Sequence, residues 1–317
     1  MKLYQRDEIQ AVVGIDDEAL RQVEAGFIAL GRGEAVQPAI LSMVMEEFNS
    51  EVDVKTAHIK GWERYAIKVS SGAFDNPKHG LPSLNGLMML FSARTGQVEA
   101  VLFDEGYLTM VRTAMAGAIA AKYLSREDSR RVAVLGAGEQ AQRQVEALRL
   151  VRNIDIVDVW ARRSEGAEDY ADRMRSRGFT VSMHDSVHSA CDQADIIITA
   201  TSAREPLLFA HDLPDGVHVT AMGSDSPDKR ELDESVLIHA GAFVCDCRAQ
   251  SEHNGELKVF TQEKREPPFV VLELGRVIDR GERLRTSEAD ITVCDLTGTG
   301  VQDTAIASFA LSRLAGR

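Results

Sequence analysis

The chain has 317 residues, 44% hydrophobic and 27% charged, a composition that suits a globular protein with a full core and excludes disorder as its main state. Its 36 Lys+Arg against 49 Asp+Glu leave a net charge of −13, which opposes binding to phosphate backbones or anionic membranes, and no basic patch offsets it. No run approaches the ~18 apolar residues of a membrane span, so neither a nucleic-acid nor a membrane partner is expected.

The start, MKLYQRDEIQ, has no apolar run of signal-peptide length. The four cysteines (Cys191, Cys245, Cys247, Cys294) hold no C-x-x-C pair and are too few to staple such a chain, which points to a reducing, cytoplasmic home. In chain order, Asp16 is placed to cap a helix whose Leu20, Val23, Phe27 and Leu30 share one face, with Gly31 and Gly33 ending it. Strand-like runs come next at 52–59, 65–72, 86–92 and 97–103, the last two joined through Ala93-Arg94-Thr95-Gly96 as a hairpin. This part reads as α+β with an antiparallel sheet. A helix rich in Ala and Gly, from about Leu108 to Leu124, joins it to a second domain.

From Arg131 the pattern alternates short apolar strands (131–136, 154–160, 179–183, 195–201, 218–223, 242–247, 291–296) with helices at 139–150, 165–177, 186–193 and 231–240. Strands that are nearly all apolar suit a parallel sheet covered on both faces, and six or so with helical crossovers imply a doubly wound α/β domain. A last helix over 302–315 returns toward the first domain. The expected division is 1–113 plus 301–317 for the α+β domain, and 114–300 for a dinucleotide-binding (Rossmann) domain.

Gly136-Ala137-Gly138-Glu139-Gln140-Ala141 is G-x-G-x-x-A between a strand and a helix. Glycines there let a pyrophosphate approach backbone N–H groups at the helix N-terminus, so Gly136, Gly138, Gln140 and Ala141 are expected to hold a dinucleotide. After the second strand, where an acid would bind a ribose 2′-OH, the sequence reads Trp160-Ala161-Arg162-Arg163-Ser164. Asp158 lies within the strand. Arg162, Arg163 and Ser164 suit a 2′-phosphate, hence NADP with NAD as the alternative; a solvated loop with Ser164 capping the next helix is the competing reading. Thr201, Met222 and Gly223, at the ends of later strands, are assigned to the same cofactor. Cys245, Asp246, Cys247 and His253 lack paired ligand spacing, so no metal is expected.

These motifs resemble the ornithine cyclodeaminase/mu-crystallin family over nearly the whole chain. The likeness is carried by Leu108-Thr109-Met110-Val111-Arg112-Thr113-Ala114, by GAGEQA, by Gly223-Ser224-Asp225 with Pro227, Lys229, Glu231 and Leu232, and by 295–303, DLTGTGVQD. Within the family, 51–57, 74–88, 92–96 and 293–305 look most like the ectoine-utilisation cyclodeaminase-like proteins. The resemblance implies a homodimer built through the first domain, 1–113 plus 301–317, as the substrate-binding and dimerisation domain, a nicotinamide cofactor in the second, and a small amino or imino acid substrate. It places the family's carboxylate-binding Lys on Lys68, its Arg on Arg112 and its catalytic Asp on Asp225, with Ser83 and Thr113 at cofactor-phosphate positions. Many members carry a further Arg after an early proline; here Ser42 follows Pro38, and Lys55 is the candidate replacement.

Asp225 would handle a proton while hydride moves to or from the nicotinamide, and Lys68 with Arg112 would form a cationic pocket in which Lys68 also steadies developing charge. The plainer readings are a loop cap for Asp225, a helix-surface ion pair for Arg112 and a surface ion pair for Lys68. Three functions remain open: an NAD(P)-dependent cyclodeaminase, an imine (ketimine) reductase, and a mu-crystallin-like protein that binds NADPH and a small ligand.

Overall fold

The computed structural model describes residues 1–316; Arg317, the last residue assigned to the first domain, lies outside the described residues. Two compact units form: one takes Met1–Arg112 and the C-terminal segment from Thr299, the other Thr113–Gly298. The first unit begins with β1 (Lys2–Gln5), α1 (Arg6–Gln10), α2 (Asp17–Gly31), β2 (Ala35–Val36), β3 (Leu41–Met45), β4 (Ser50–Ile59), β5 (Arg64–Ala73), β6 (Leu84–Ser92) and β7 (Val98–Phe103). Its seven-stranded sheet runs β1-β7-β6-β5-β4-β2, with β3 also on β4. Pairing is antiparallel, as the hairpin pattern requires, except that β1 lies parallel to β7. That strand was not legible because KLYQ turns a single residue, Tyr4, inward.

Asp16 caps α2 as expected, its Oδ1 accepting from the N–H groups of Glu18 (2.9 Å) and Ala19 (2.8 Å). Leu20, Val23 and Phe27 are buried. On the sheet, alternation buries Ala57 and Ile59 of β4, Ala66 of β5, Met88 and Leu90 of β6, and Ala100 and Leu102 of β7 on one face.

The division between the units falls within α3 (Tyr107–Leu124). The second unit continues with β8 (Arg131–Leu135), α4 (Glu139–Leu148), β9 (Ile156–Trp160), α5 (Ser164–Ser176), β10 (Thr180–Met183), α6 (Val187–Cys191), β11 (Ile196–Thr199), β12 (His218–Ala221) and α7 (Glu234–His239). Then come β13 (Ala242–Cys245), α8 (Arg248–Ser251), α9 (Lys258–Gln262), β14 (Val271–Glu273), α10 (Leu274–Arg280) and β15 (Thr292–Asp295). The chain ends in α11 (Gly300–Ala315), which packs on α2, β4 and β5.

The second sheet has eight strands in the order β10-β9-β8-β11-β12-β15-β13-β14, every pair parallel. It is the doubly wound fold, with its order reversing between β8 and β11. Val132 and Val134 of β8 join one core while Ala133 and Leu135 join the other, which is why the strand reads as one apolar run. The count exceeds the expected six or so because β14, three half-buried residues, has no period to read.

Candidate active site

β4 and β5 are paired so that Lys55 stands opposite Lys68, one step of the pleat beyond the buried pair Ala57 and Ala66. Lys55 and Lys68 therefore share the core face, and they are 6% and 2% exposed. Arg112, on α3, is 6% exposed. Between the cations sits Asp303, fully buried in the first turn of α11: its Oδ2 is 3.3 Å from Lys68 Nζ and its Oδ1 3.1 Å from Arg112 Nε. Arg112 also donates to Gln302 Oε1 at 3.1 Å.

This turn is fixed from below. Thr304 Oγ1 donates to the Ala57 carbonyl (2.7 Å) and accepts from the Ala66 N–H (3.0 Å), bridging β4 and β5. Gly300 runs so close to β4 that a Cβ there would stand 2.3 Å from the Thr56 carbonyl oxygen. The surface readings of Lys68 and Arg112 are thus overturned, although both do pair with an acid.

Burial pushes the Lys68 ammonium down to about 7; Asp303 opposes this, while Arg112 and Lys55 add to it. Burial also lifts the Asp104 carboxyl, just after β7, to about 6, although its Oδ2 accepts from the Leu108 N–H at 2.8 Å. Thr299 Oγ1 and Gln302 Nε2 are buried without hydrogen-bond partners among the described residues. Two cations that share one carboxylate, beside unsatisfied polar groups, suit a second anion. Ser42 is exposed on β3 and donates to Asp53 Oδ1 at 2.6 Å.

In the second unit, Gly136 follows β8 with φ +117°, and a Cβ there would lie 2.5 Å from the Ala200 carbonyl oxygen, so the turn itself demands glycine. Gly138, the N-cap of α4, is exposed, and apart from itself and its chain neighbours no atom of the described residues lies within 4 Å of where its Cβ would be. Its bareness leaves the helix N-terminus open to an anion. Gln140 Nε2 is buried without a partner among the described residues, while Ala141 is packed into the core. These features fit the pyrophosphate of a dinucleotide.

Asp158 is engaged within β9 by Arg131 Nε (2.6 Å) and His184 Nε2 (2.8 Å). Arg162, Arg163 and Ser164 are exposed beyond the strand. Ser164 does not cap α5: the cap falls one residue earlier, on Arg163, and carries no side-chain cap hydrogen bond.

Glu231 ties the ends of β11 and β12 together. Its carboxylate accepts from Thr199 Oγ1 (2.6 Å), from both the N–H (2.6 Å) and the Oγ1 (2.7 Å) of Thr201, and from the Gly223 N–H (2.7 Å). Burial pushes this carboxyl upward against those four donors. Met222 is buried, its N–H bonded to the Thr199 carbonyl at 3.0 Å. Asp225 follows on a loop, half exposed, with Oδ1 2.8 Å from Lys229 Nζ. Thr113 offers its carbonyl to Gln144 Nε2 at 2.8 Å. The Ser83 carbonyl, in the loop before β6 of the first unit, accepts from the Ala73 N–H at 2.8 Å. Asp303, Gln302, Glu231 and Lys229 all lie within the recognised motifs, yet their partners are distant in sequence or sit in irregular loops, so no spacing announced their contacts.

The profile of the ornithine cyclodeaminase/mu-crystallin family matches residues 2–316. The chain belongs to this family. A relative from Sinorhizobium fredii, described as the uncharacterized cyclodeaminase y4tK, is 45% identical over 318 residues, covering 99% of this chain and 96% of that protein. The Thermococcus litoralis Δ1-pyrroline-2-carboxylate reductase, solved with NADH and L-proline, is 27% identical with a TM-score of 0.93, covering 100% of this chain and 98% of that one. An archaeal alanine dehydrogenase dimer with bound NAD is 31% identical with a TM-score of 0.91, covering 100% and 96%. As a member of the ornithine cyclodeaminase/mu-crystallin family the chain is an enzyme of the nicotinamide-dependent kind. No helix among its described residues is long and apolar enough to cross a membrane.

Proposed function

We propose that this chain transfers hydride at the α-carbon of a small amino acid or its imine, as an ornithine cyclodeaminase-like enzyme that prefers NADP(H). The observation that carries the reading is the buried Lys68–Asp303–Arg112 cluster. Arg112 offers a planar fork to a substrate carboxylate, and Lys68 adds a second positive charge beside it. Lys55, buried opposite Lys68, is the third contact in place of the absent arginine. When bound, the nicotinamide accepts or returns the hydride.

Gly136, Gly138, Gln140 and Ala141 form the cradle for the pyrophosphate; Thr201, Met222 and Gly223 line the strand ends that Glu231 joins; Ser83 and Thr113 are phosphate contacts. Arg162, Arg163 and Ser164 bind a 2′-phosphate, a reading supported by the commitment of Asp158 to Arg131 and His184. Asp225 handles the proton: as the Cα–H bond is broken, an N–H proton leaves the substrate nitrogen and the C=N bond forms, and in reverse the nitrogen regains it. In cyclodeamination a side-chain amine then attacks the imine carbon, ammonia leaves, and hydride returns to the cyclic imine, with no net redox change. The likeness to a Δ1-pyrroline-2-carboxylate reductase favours a second reading, in which one cyclic imine is reduced and one reduced cofactor is consumed.

The test incubates the enzyme with NADPH or NADH and Δ1-pyrroline-2-carboxylate, and separately with NADP+ or NAD+ and L-ornithine, following cofactor absorbance and ammonia together. Ammonia release without lasting absorbance change supports the cyclodeaminase; stoichiometric NAD(P)H loss with the imine supports the reductase. No turnover across small amino and imino acids overturns both. Asp225→Asn keeps the shape and removes the charge, so turnover should fall at least ~10²-fold with cofactor affinity retained; full activity would remove Asp225 from the reaction.

A further inference from the structure

The loop that carries Asp225 is built around a cation that no motif announced. Lys258, the first residue of α9, is 4% exposed. Its Nζ donates to Ser224 Oγ, to the carbonyls of Ser226 and Asn254 (each 3.0 Å), and to the Lys229 carbonyl. Three of these four acceptors belong to residues 224–229. Among the described residues no carboxylate oxygen is in salt-bridge contact with it, and burial lowers its proton affinity while nearby acids raise it.

An ammonium buried against neutral acceptors gives up strong hydration, and a well-packed apolar side chain usually serves stability as well or better. What the charge does here is geometric. The loop is already held at its ends, by the Gly223 N–H on Glu231 and by the Arg230 N–H on the Ala203 carbonyl at 2.8 Å. Its middle turns three acceptors inward onto one Nζ. Ser224 Oγ, itself donating to the Lys229 carbonyl at 2.9 Å, tightens the same point. The Lys229 main chain is thereby pinned, and Lys229 Nζ in turn meets Asp225 Oδ1 at 2.8 Å.

We propose that Lys258 is a positioning residue that shapes the 224–229 loop from within and so fixes the Asp225–Lys229 pair for proton handling. It acts through the loop that its four contacts hold. This inference rests on the proposed role of Asp225.

Lys258→Met keeps the stem and removes the donors; Lys258→Arg keeps the charge and the donors. Amide hydrogen exchange over 224–229, cofactor affinity, KM and kcat are measured for both. In Lys258→Met, exchange of the loop should rise about 10-fold or more and kcat should fall roughly 10- to 100-fold, while cofactor affinity holds. Lys258→Arg should recover most of both. Wild-type exchange and kcat in a folded Lys258→Met overturn the proposal. If that variant fails to fold, Lys258→Arg decides: a loop that exchanges freely with wild-type kcat overturns it, and a protected loop with wild-type kcat supports it. Asp225→Asn alongside separates the two ideas. Full turnover there removes the role of Asp225, whereas lost turnover there with none lost in Lys258→Met removes only that of Lys258.

Discussion

Lys68 is the residue whose environment makes the sharpest claim. In its protonated form it is suited to hold a carboxylate, and burial has brought its proton affinity down to about 7. With the free enzyme, kcat/KM for an acidic substrate is therefore expected to fall as pH rises through about 7. Asp303 is the group that raises Lys68 against burial, so Asp303→Asn should move that fall to lower pH; profiles that superimpose would show that the carboxylate does not govern Lys68. A second prediction belongs to Arg162. Loss of one charge-assisted phosphate contact is worth about 1.5–3 kcal/mol, roughly 10- to 100-fold in affinity. Arg162→Ala should weaken NADP(H) by that amount and leave NAD(H) unchanged; a wild type that binds NAD(H) as well as NADP(H) would remove the 2′-phosphate reading. At this scale single features were legible where a motif or a cap carried them, as at Gly136 and Asp16. The contact of Asp303 with Lys68 and Arg112 was not: α11, which carries it, is tied to β4 and β5 through Thr304, far from them in sequence.

Among the elements, legibility followed burial. Strands buried on both faces, such as β8 and β11, read directly as apolar runs, and α2 announced its start through Asp16. The stretch over 248–280 did not, because α8, α9, β14 and α10 are three to seven residues long and shorter than the periods that would reveal them. Yet this stretch supplies Glu256, whose carboxyl accepts from the Glu231 N–H at 2.9 Å and whose own N–H meets Asp295 Oδ2 at 2.9 Å. Burial, with the nearby Asp295 charge, pushes Glu256 up to about 8 from its usual 4.5. A carboxyl whose affinity for its proton is raised by folding contributes stability at low pH that drains away as pH rises from the unfolded value to the folded one. Glu256→Gln stays neutral and keeps an acceptor for Glu231. Its melting temperature relative to wild type should therefore climb between about pH 5 and 8 and level off above. Thermal melts across that range check this; a difference that does not change with pH would mean that Glu256 is not held protonated by the fold.

For the whole molecule, the fold leaves a set of apolar side chains exposed on one strand and just beyond it. On β3, Leu41 is 61% and Val44 64% exposed, and Phe48, just beyond, is 68% exposed. The strand LSMVM was not among the strands expected from the sequence; in the structure residues 41–44 are exposed and Met45 is half-buried. Apolar side chains this exposed, on both faces of one strand, are what an interaction surface would cover. The prediction is that a second copy of the chain covers them. A stable interface needs roughly 1,000 Å² of buried surface or more, and a charge placed at its centre without a partner should open it. Wild type is expected to sediment as a dimer at micromolar concentration, and Val44→Asp with Phe48→Asp as a monomer with unchanged circular dichroism. A monomeric wild type, or a double variant that remains dimeric, would show that two copies do not meet over this strand.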